Sequence, residues 1–153
     1  MKVLFKLSLF FFLFTNISNA DLIKPNSNLE PFDVLMIQLN SLQNNDNHYM
    51  YSGIEQTWEF AHPINKASTG PLKRFKQMIY SDSYKILISH ENHKTVILKE
   101  LPNKIVYKVY VLSKDKKKYY YIWQIEKVEK EGKFKDCWMT TGVSDPIYLG
   151  ETI

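Results

Sequence analysis

The stretch that decides the fold is KTVILKEL (94–101), PN (102–103), KIVYKVYVL (104–112), SKDKKK (113–118) and YYYIWQIEKV (119–128). Its three long runs are rich in β-branched and aromatic residues, and their side-chain period is two, so they read as strands. Pro102-Asn103 fits a tight turn between the first two, residues 114–117 a second turn, and residues 130–133, with Gly132, a third. Consecutive strands joined by turns this short form an antiparallel meander, to which residues 134–143 would add the last strand. In the third run Tyr119, Tyr121, Trp123 and Ile125 share one face, and Tyr120, Ile122, Gln124 and Glu126 share the other. The aromatic set is expected to line the core.

Working outward toward the N-terminus, the period changes. Pro31 is well placed in the first turn of a helix, and Phe32, Leu35, Met36, Leu39 and Leu42 recur at helical spacing over 31–43. Asn44-Asn45-Asp46-Asn47 then stops it, because these side chains bond back to nearby backbone. Residues 53–61 place Ile54, Trp58 and Ala61 on one face of a short second helix, ended by Pro63. Thr69-Gly70-Pro71 reads as a third start, with Thr69 as cap and Leu72, Phe75, Met78 and Ile79 as the apolar stripe. Helices followed by a run of strands indicate an α+β fold, with the helices packed on one sheet face. The domain is expected over 31–144, after a polar linker at 21–30 and before a C-terminal tail at 145–153.

Residues 1–20 have the form of a secretory signal peptide. Lys2 and Lys6 precede an apolar run over 7–14, and Ser18-Asn19-Ala20 supplies small residues for cleavage before Asp21. The run is shorter than the roughly 20 apolar residues of a membrane span, and no later stretch crosses a bilayer. The expected location is the secretory pathway or the exterior. Removing Lys2 and Lys6 from 20 basic residues leaves 18 against 16 acidic ones, a net charge of +2. Nucleic-acid binding needs a one-signed basic face, and these charges are mixed along the chain, so no nucleic-acid partner is expected. About 133 remaining residues suit one domain with one core. Cys137 is the only cysteine, so no internal disulfide is available, and burial of the thiol is expected.

Candidate chemistry is sparse. His90 and His93 are three apart, but Ser89-His90-Glu91-Asn92-His93 reads as a loop, and no further ligand completes a metal site. Cys137, a histidine and Asp46 could compose a nucleophilic triad, although nothing in their spacing selects them. His62, just before Pro63, reads as a helix-end residue. Lys116-Lys117-Lys118 beside three tyrosines reads as a solvated hairpin edge. The aromatic residues Trp58, Tyr107, Tyr121 and Trp123 are the candidate lining of an apolar pocket between helices and sheet. No metal and no cofactor are expected.

The chain resembles the family called domain of unknown function 4864, particularly its plant and algal members. The resemblance covers about 32–143 and rests on Gln38-Leu39, Leu42, Asn45-Asp46, Gly53-Ile54, Phe60-Ala61, Asn65, Thr69-Gly70-Pro71, Arg74-Phe75 and Met78. Trp123-Gln124, Cys137-Trp138-Met139-Thr140 and Val143 complete it. It implies a cystatin-like α+β fold of the kind typified by nuclear transport factor 2, in which helices pack into a curved antiparallel sheet. The family pattern often has serine where His62 stands, which argues against a catalytic role there. Because that family has no established activity, the resemblance implies a fold and not a reaction. Its plant members are plastid proteins, so the signal could also be the first half of a route into a complex plastid. Three uses of such a fold follow as expectations. They are binding of a small apolar ligand or a protein partner in the concave sheet, an isomerase-, dehydratase- or hydrolase-like reaction in the same cavity, and dimerisation through the sheet.

Overall fold

The computed structural model describes residues 21–151; the expected signal peptide at 1–20 lies outside the described residues. Four helices precede a five-stranded antiparallel sheet, the α+β class expected. Helix α1 spans Pro31–Gln43, with Pro31 at its first position and the Asp33 carboxylate accepting the Glu30 N–H at 3.0 Å. It buries Val34, Leu35, Gln38, Leu39 and Leu42. The buried stripe therefore runs one residue further round than expected: Phe32 stands 50% exposed, and Gln38 enters the core.

Helix α2 spans Ser52–Glu59 and packs on α1. Pro63 does not close this helix; it opens another, α3, Pro63–Thr69, whose N-cap His62 accepts the Ile64 N–H on Nδ1 at 3.1 Å. Proline is tolerated both beyond a helix end and at a first helical position, so the sequence signal is the same for both. Helix α4, Leu72–Ile79, is preceded by Pro71 as its cap. Thr69 is instead the last residue of α3, its hydroxyl donating to the Asn65 carbonyl at 2.9 Å. The expected stripe survives, with Phe75 and Ile79 buried and Leu72 and Met78 packed against the core.

The strands are β1 (Asn92–Leu101), β2 (Lys104–Leu112), β3 (Lys117–Lys127), β4 (Trp138–Val143) and β5 (Ile147–Glu151), in the order β1-β2-β3-β4. The register sets Ile105 opposite Ile125, Tyr107 opposite Trp123 and Val109 opposite Tyr121, and these residues form the floor of the core. The expected tail is not irregular over its described residues, because β5 pairs with the free edge of β3 beyond the end of β4. Between the two, Ser144 bridges the ladder: its N–H donates to the Ile122 carbonyl and its hydroxyl accepts the Ile122 N–H, both at 2.9 Å. Pro146 stands just before β5, where it interrupts no ladder.

Two further boundaries move. The strand expected over 134–143 begins only at Trp138, since residues 134–137 make a turn with Asp136 at φ 61°. Strand alternation therefore does not govern the Cys137–Trp138 pair, and both are buried. Cys137 packs with Val128, Met139 and Phe134 in a small second cluster. The polar segment 21–30 is docked on α2, where the Gln56 side-chain amide pairs with both the N–H and the carbonyl of Ile23, at 2.7 and 2.8 Å.

Candidate functional site

Sheet and helices do not meet everywhere. A cavity of about 170 Å³ remains between α1, α2, α3, α4 and the β3–β4 part of the sheet. The parallel bridge between Ala61 and Thr140 brings the chain between α2 and α3 onto the edge of β4, with the His62 N–H on the Thr140 carbonyl and the Thr140 N–H on the Phe60 carbonyl, each at 2.8 Å. Leu42, Phe75, Ile79, Leu87 and Trp123 provide its main apolar surface.

The polar side chains on the wall are paired with one another or with backbone. Gln38 Oε1 accepts the Thr140 hydroxyl at 2.5 Å and the Trp123 indole N–H at 3.3 Å, and that N–H also reaches Thr140 Oγ1 at 3.1 Å. Gln38 Nε2 donates to the Thr57 carbonyl at 3.0 Å, and the Thr57 hydroxyl to the Gly53 carbonyl at 2.8 Å. Asn65 donates to the Thr140 carbonyl at 3.2 Å, and Tyr84 donates its phenol proton to the Val143 carbonyl at 3.0 Å. Buried donors satisfied in this way no longer call for a polar ligand. Among the described residues that line the cavity, Tyr84 carries the titratable group, and burial raises its pKa, with Asp145 adding to the rise. Asp, Glu, His, Lys, Arg and Cys are absent from that lining.

Of the four aromatic candidates, Trp123 lines the cavity. Tyr107 and Tyr121 lie on the same sheet face but are packed into the core, and the Tyr121 phenol donates to the Ser83 carbonyl at 2.8 Å. Trp58 is half-buried and packs on the edge of the core, against Phe75 at 4.9 Å between ring centres, with the Lys66 ammonium 5.2 Å over its ring. Periodicity does not find Gln38, Asn65 and Thr140. They are, however, positions on which the family resemblance rests, as are Ala61, Thr69 and Met78, and the cavity gathers them all. No known family model, curated protein or solved structure matches the chain.

The other candidates fall elsewhere. Burial raises the pKa of the Cys137 thiol, with Asp136 contributing, which is opposite to the activation a nucleophile needs. Asp46 is engaged at the α1–α2 turn, accepting the Tyr51 N–H at 2.5 Å. Among the described residues no group of three His, Cys, Asp or Glu is placed to hold a metal ion, and no helix is long and apolar enough to cross a membrane.

His90 and His93 do meet. His90 is buried, its Nδ1 2.7 Å from the Leu87 carbonyl and its Nε2 2.7 Å from His93 Nδ1. A carbonyl can only accept, so His90 Nδ1 carries the proton, and neutral His90 accepts from His93 on Nε2. Burial lowers the pKa of both rings, with His93 also disfavouring charge on His90. Below the ordinary histidine pKa of about 6.5 the unfolded chain therefore binds more protons than the folded one, and stability falls as the pH drops through that value. Melting temperatures measured from pH 7.5 to 5 should decline, and His90→Gln should flatten the decline. An unchanged slope in the variant would show that the pair does not carry it.

Proposed function

We propose that this domain is an exported binding module of the cystatin-like, nuclear-transport-factor-2-like type, which takes a small apolar ligand into the cavity between its helices and sheet. The observation that carries the reading is the chemistry of the wall: apolar surface, with the Gln38, Thr57, Asn65, Trp123, Thr140 and Tyr84 donors already paired. The order of helices and strands, and the gathering of resemblance positions around the cavity, support the fold assignment. The rival use, an isomerase, dehydratase or hydrolase in the same space, asks for a shifted acid–base pair in the wall. The lining favours binding over that use.

Size narrows the ligand. A dry apolar cavity of about 150 Å³ admits benzene or xenon, whereas drug-sized ligands occupy roughly 300–1,000 Å³. The expected ligand is thus a single-ring hydrocarbon or a short-chain apolar molecule. Thermal melts with toluene, cymene and cyclohexane should raise the wild-type melting temperature, while Ala61→Leu, which fills the cavity from its wall, should abolish the rise. If none of these probes shifts the melt, nor a metabolite extract of the host, the space is unfilled core and the binding reading fails. The export half of the proposal expects Asp21 at the N-terminus of the exported chain. N-terminal sequencing that recovers residues 7–14 replaces the cleaved signal with an anchor.

A further inference from the structure

Strand alternation leaves half of each strand's side chains on the sheet face without helices. The register places Lys94, Tyr110 and Tyr120 in one row on that face, Val96, Lys108 and Ile122 in another, and Leu112 beside Lys118 in a third. Lys99 stands opposite Val106, and Lys104 opposite Glu126. The Glu126 carboxylate is held by Lys104 at 2.7 Å. Lys94, Lys99 and Lys118 are exposed. Charges mixed in sign along the chain are thus sorted by the period of two into a basic sheet face.

The same face is apolar at its margins. Val96 is 51% exposed on the edge strand β1, and Ile147, opposite Tyr120, is 47% exposed on β5. A groove of about 340 Å³ lies between the start of β1 and β5, lined in part by Lys94, Tyr110, Leu112, Lys118 and Leu149. Lysines flanking an apolar floor match a surface that is anionic outside and hydrocarbon beneath, because the lysine stem lies on apolar area while the ammonium reaches a phosphate. A second copy would set lysine against lysine across the dyad. Single-stranded nucleic acid would need open aromatic faces for base stacking, but the Lys108 ammonium already lies over Tyr110 and Tyr120, 5.2 and 4.0 Å from their centres.

We propose that the helix-free sheet face docks on an anionic phospholipid bilayer, with Lys94, Lys99 and Lys118 meeting lipid phosphates and Val96 and Ile147 entering the interfacial layer. The proposal is independent of the cavity, which opens on the opposite side of the sheet.

Co-sedimentation of the full chain with vesicles of equal parts phosphatidylcholine and phosphatidylserine tests it. Each lysine near an anionic surface strengthens partitioning about fivefold, so Lys94→Gln with Lys118→Gln should weaken it by about 25-fold, and added salt should weaken the wild type further. Wild type and variant carry the same residues 1–20, so the difference between them reads the face. Both substituted side chains are exposed, and matching melts confirm folding. A variant that partitions within about twofold of wild type overturns the proposal, as does equal wild-type binding to phosphatidylcholine alone. So does a dimer that the double variant dissolves, which gives the face to a second copy. Tighter binding of oligothymidylate than of vesicles gives it to nucleic acid and likewise overturns the proposal.

Discussion

Trp123→Ala should lower the stability of the domain by about 3–5 kcal/mol, the usual range for removing a buried large aromatic, and its melting temperature by about 10–20 °C. The indole is 2% exposed, faces Tyr107 across the sheet and closes one wall of the cavity. Its loss merges the vacated volume with a space already unfilled, and surrounding side chains relax only partly into such a void. It also strips a donor from both Gln38 Oε1 and Thr140 Oγ1, which lie 85 and 17 residues away in the chain. Denaturant unfolding is the direct measurement. Trp123→Phe separates the two contributions, keeping most of the packing while losing the N–H, and should cost about 1–3 kcal/mol. A loss below about 1 kcal/mol for the alanine variant would mean that the ring is supported by something other than protein.

Gly53→Ala should cost about 3 kcal/mol, the upper end of the usual range for overpacking, even though alanine is favoured over glycine by about 1 kcal/mol inside a helix. The reason is the crossing of α2 on α1. A Cβ at this position would lie 2.0 Å from the Ser41 carbonyl oxygen, 2.8 Å from its carbon and 3.0 Å from the Asn45 Cα. All three are backbone atoms, so no side-chain rotamer can yield, and the two helices must separate. Gly142→Ala is the matching control, since its Cβ would meet no heavy atom within 4 Å; its stability should change by no more than about 0.5 kcal/mol. Equal melts for the two variants would show that the helix crossing is looser than this geometry requires.

Much of the fold is legible because it is written locally. The turns at 102–103 and 114–116, the period-two runs and the inward set of Tyr121, Trp123 and Ile125 appear where expected, with Tyr119 of that set half-buried. Two of the misread boundaries share a cause: Pro63 and Thr69 each suit two roles, and the neighbouring segment chooses between them. Strand β5 is five residues long, carries Gly150 and follows a proline, so only its pairing with β3 makes it a strand.

The candidate site was less legible. Trp58, Tyr107, Tyr121 and Trp123 are alike as residue types, yet Trp123 alone of the four borders the cavity, because a void is the mismatch between two packed layers and not a property of any side chain. The basic sheet face escaped notice for a related reason, since charge mixed along the chain says little until alternation assigns each residue a side.

By itself, the sequence determined the α+β order, the strand turns, the inward face of β3 and the burial of Cys137. These depend on backbone periodicity and on hydrophobicity within a few residues. Only the tertiary structure decided that Gln38 would meet Trp123 and Thr140, 85 and 102 residues away, that His90 would bond His93, and that a cavity would remain between the layers. Contacts over such separations arise from the docking of helices on a sheet, and no local pattern carries the position at which two such surfaces fail to interlock.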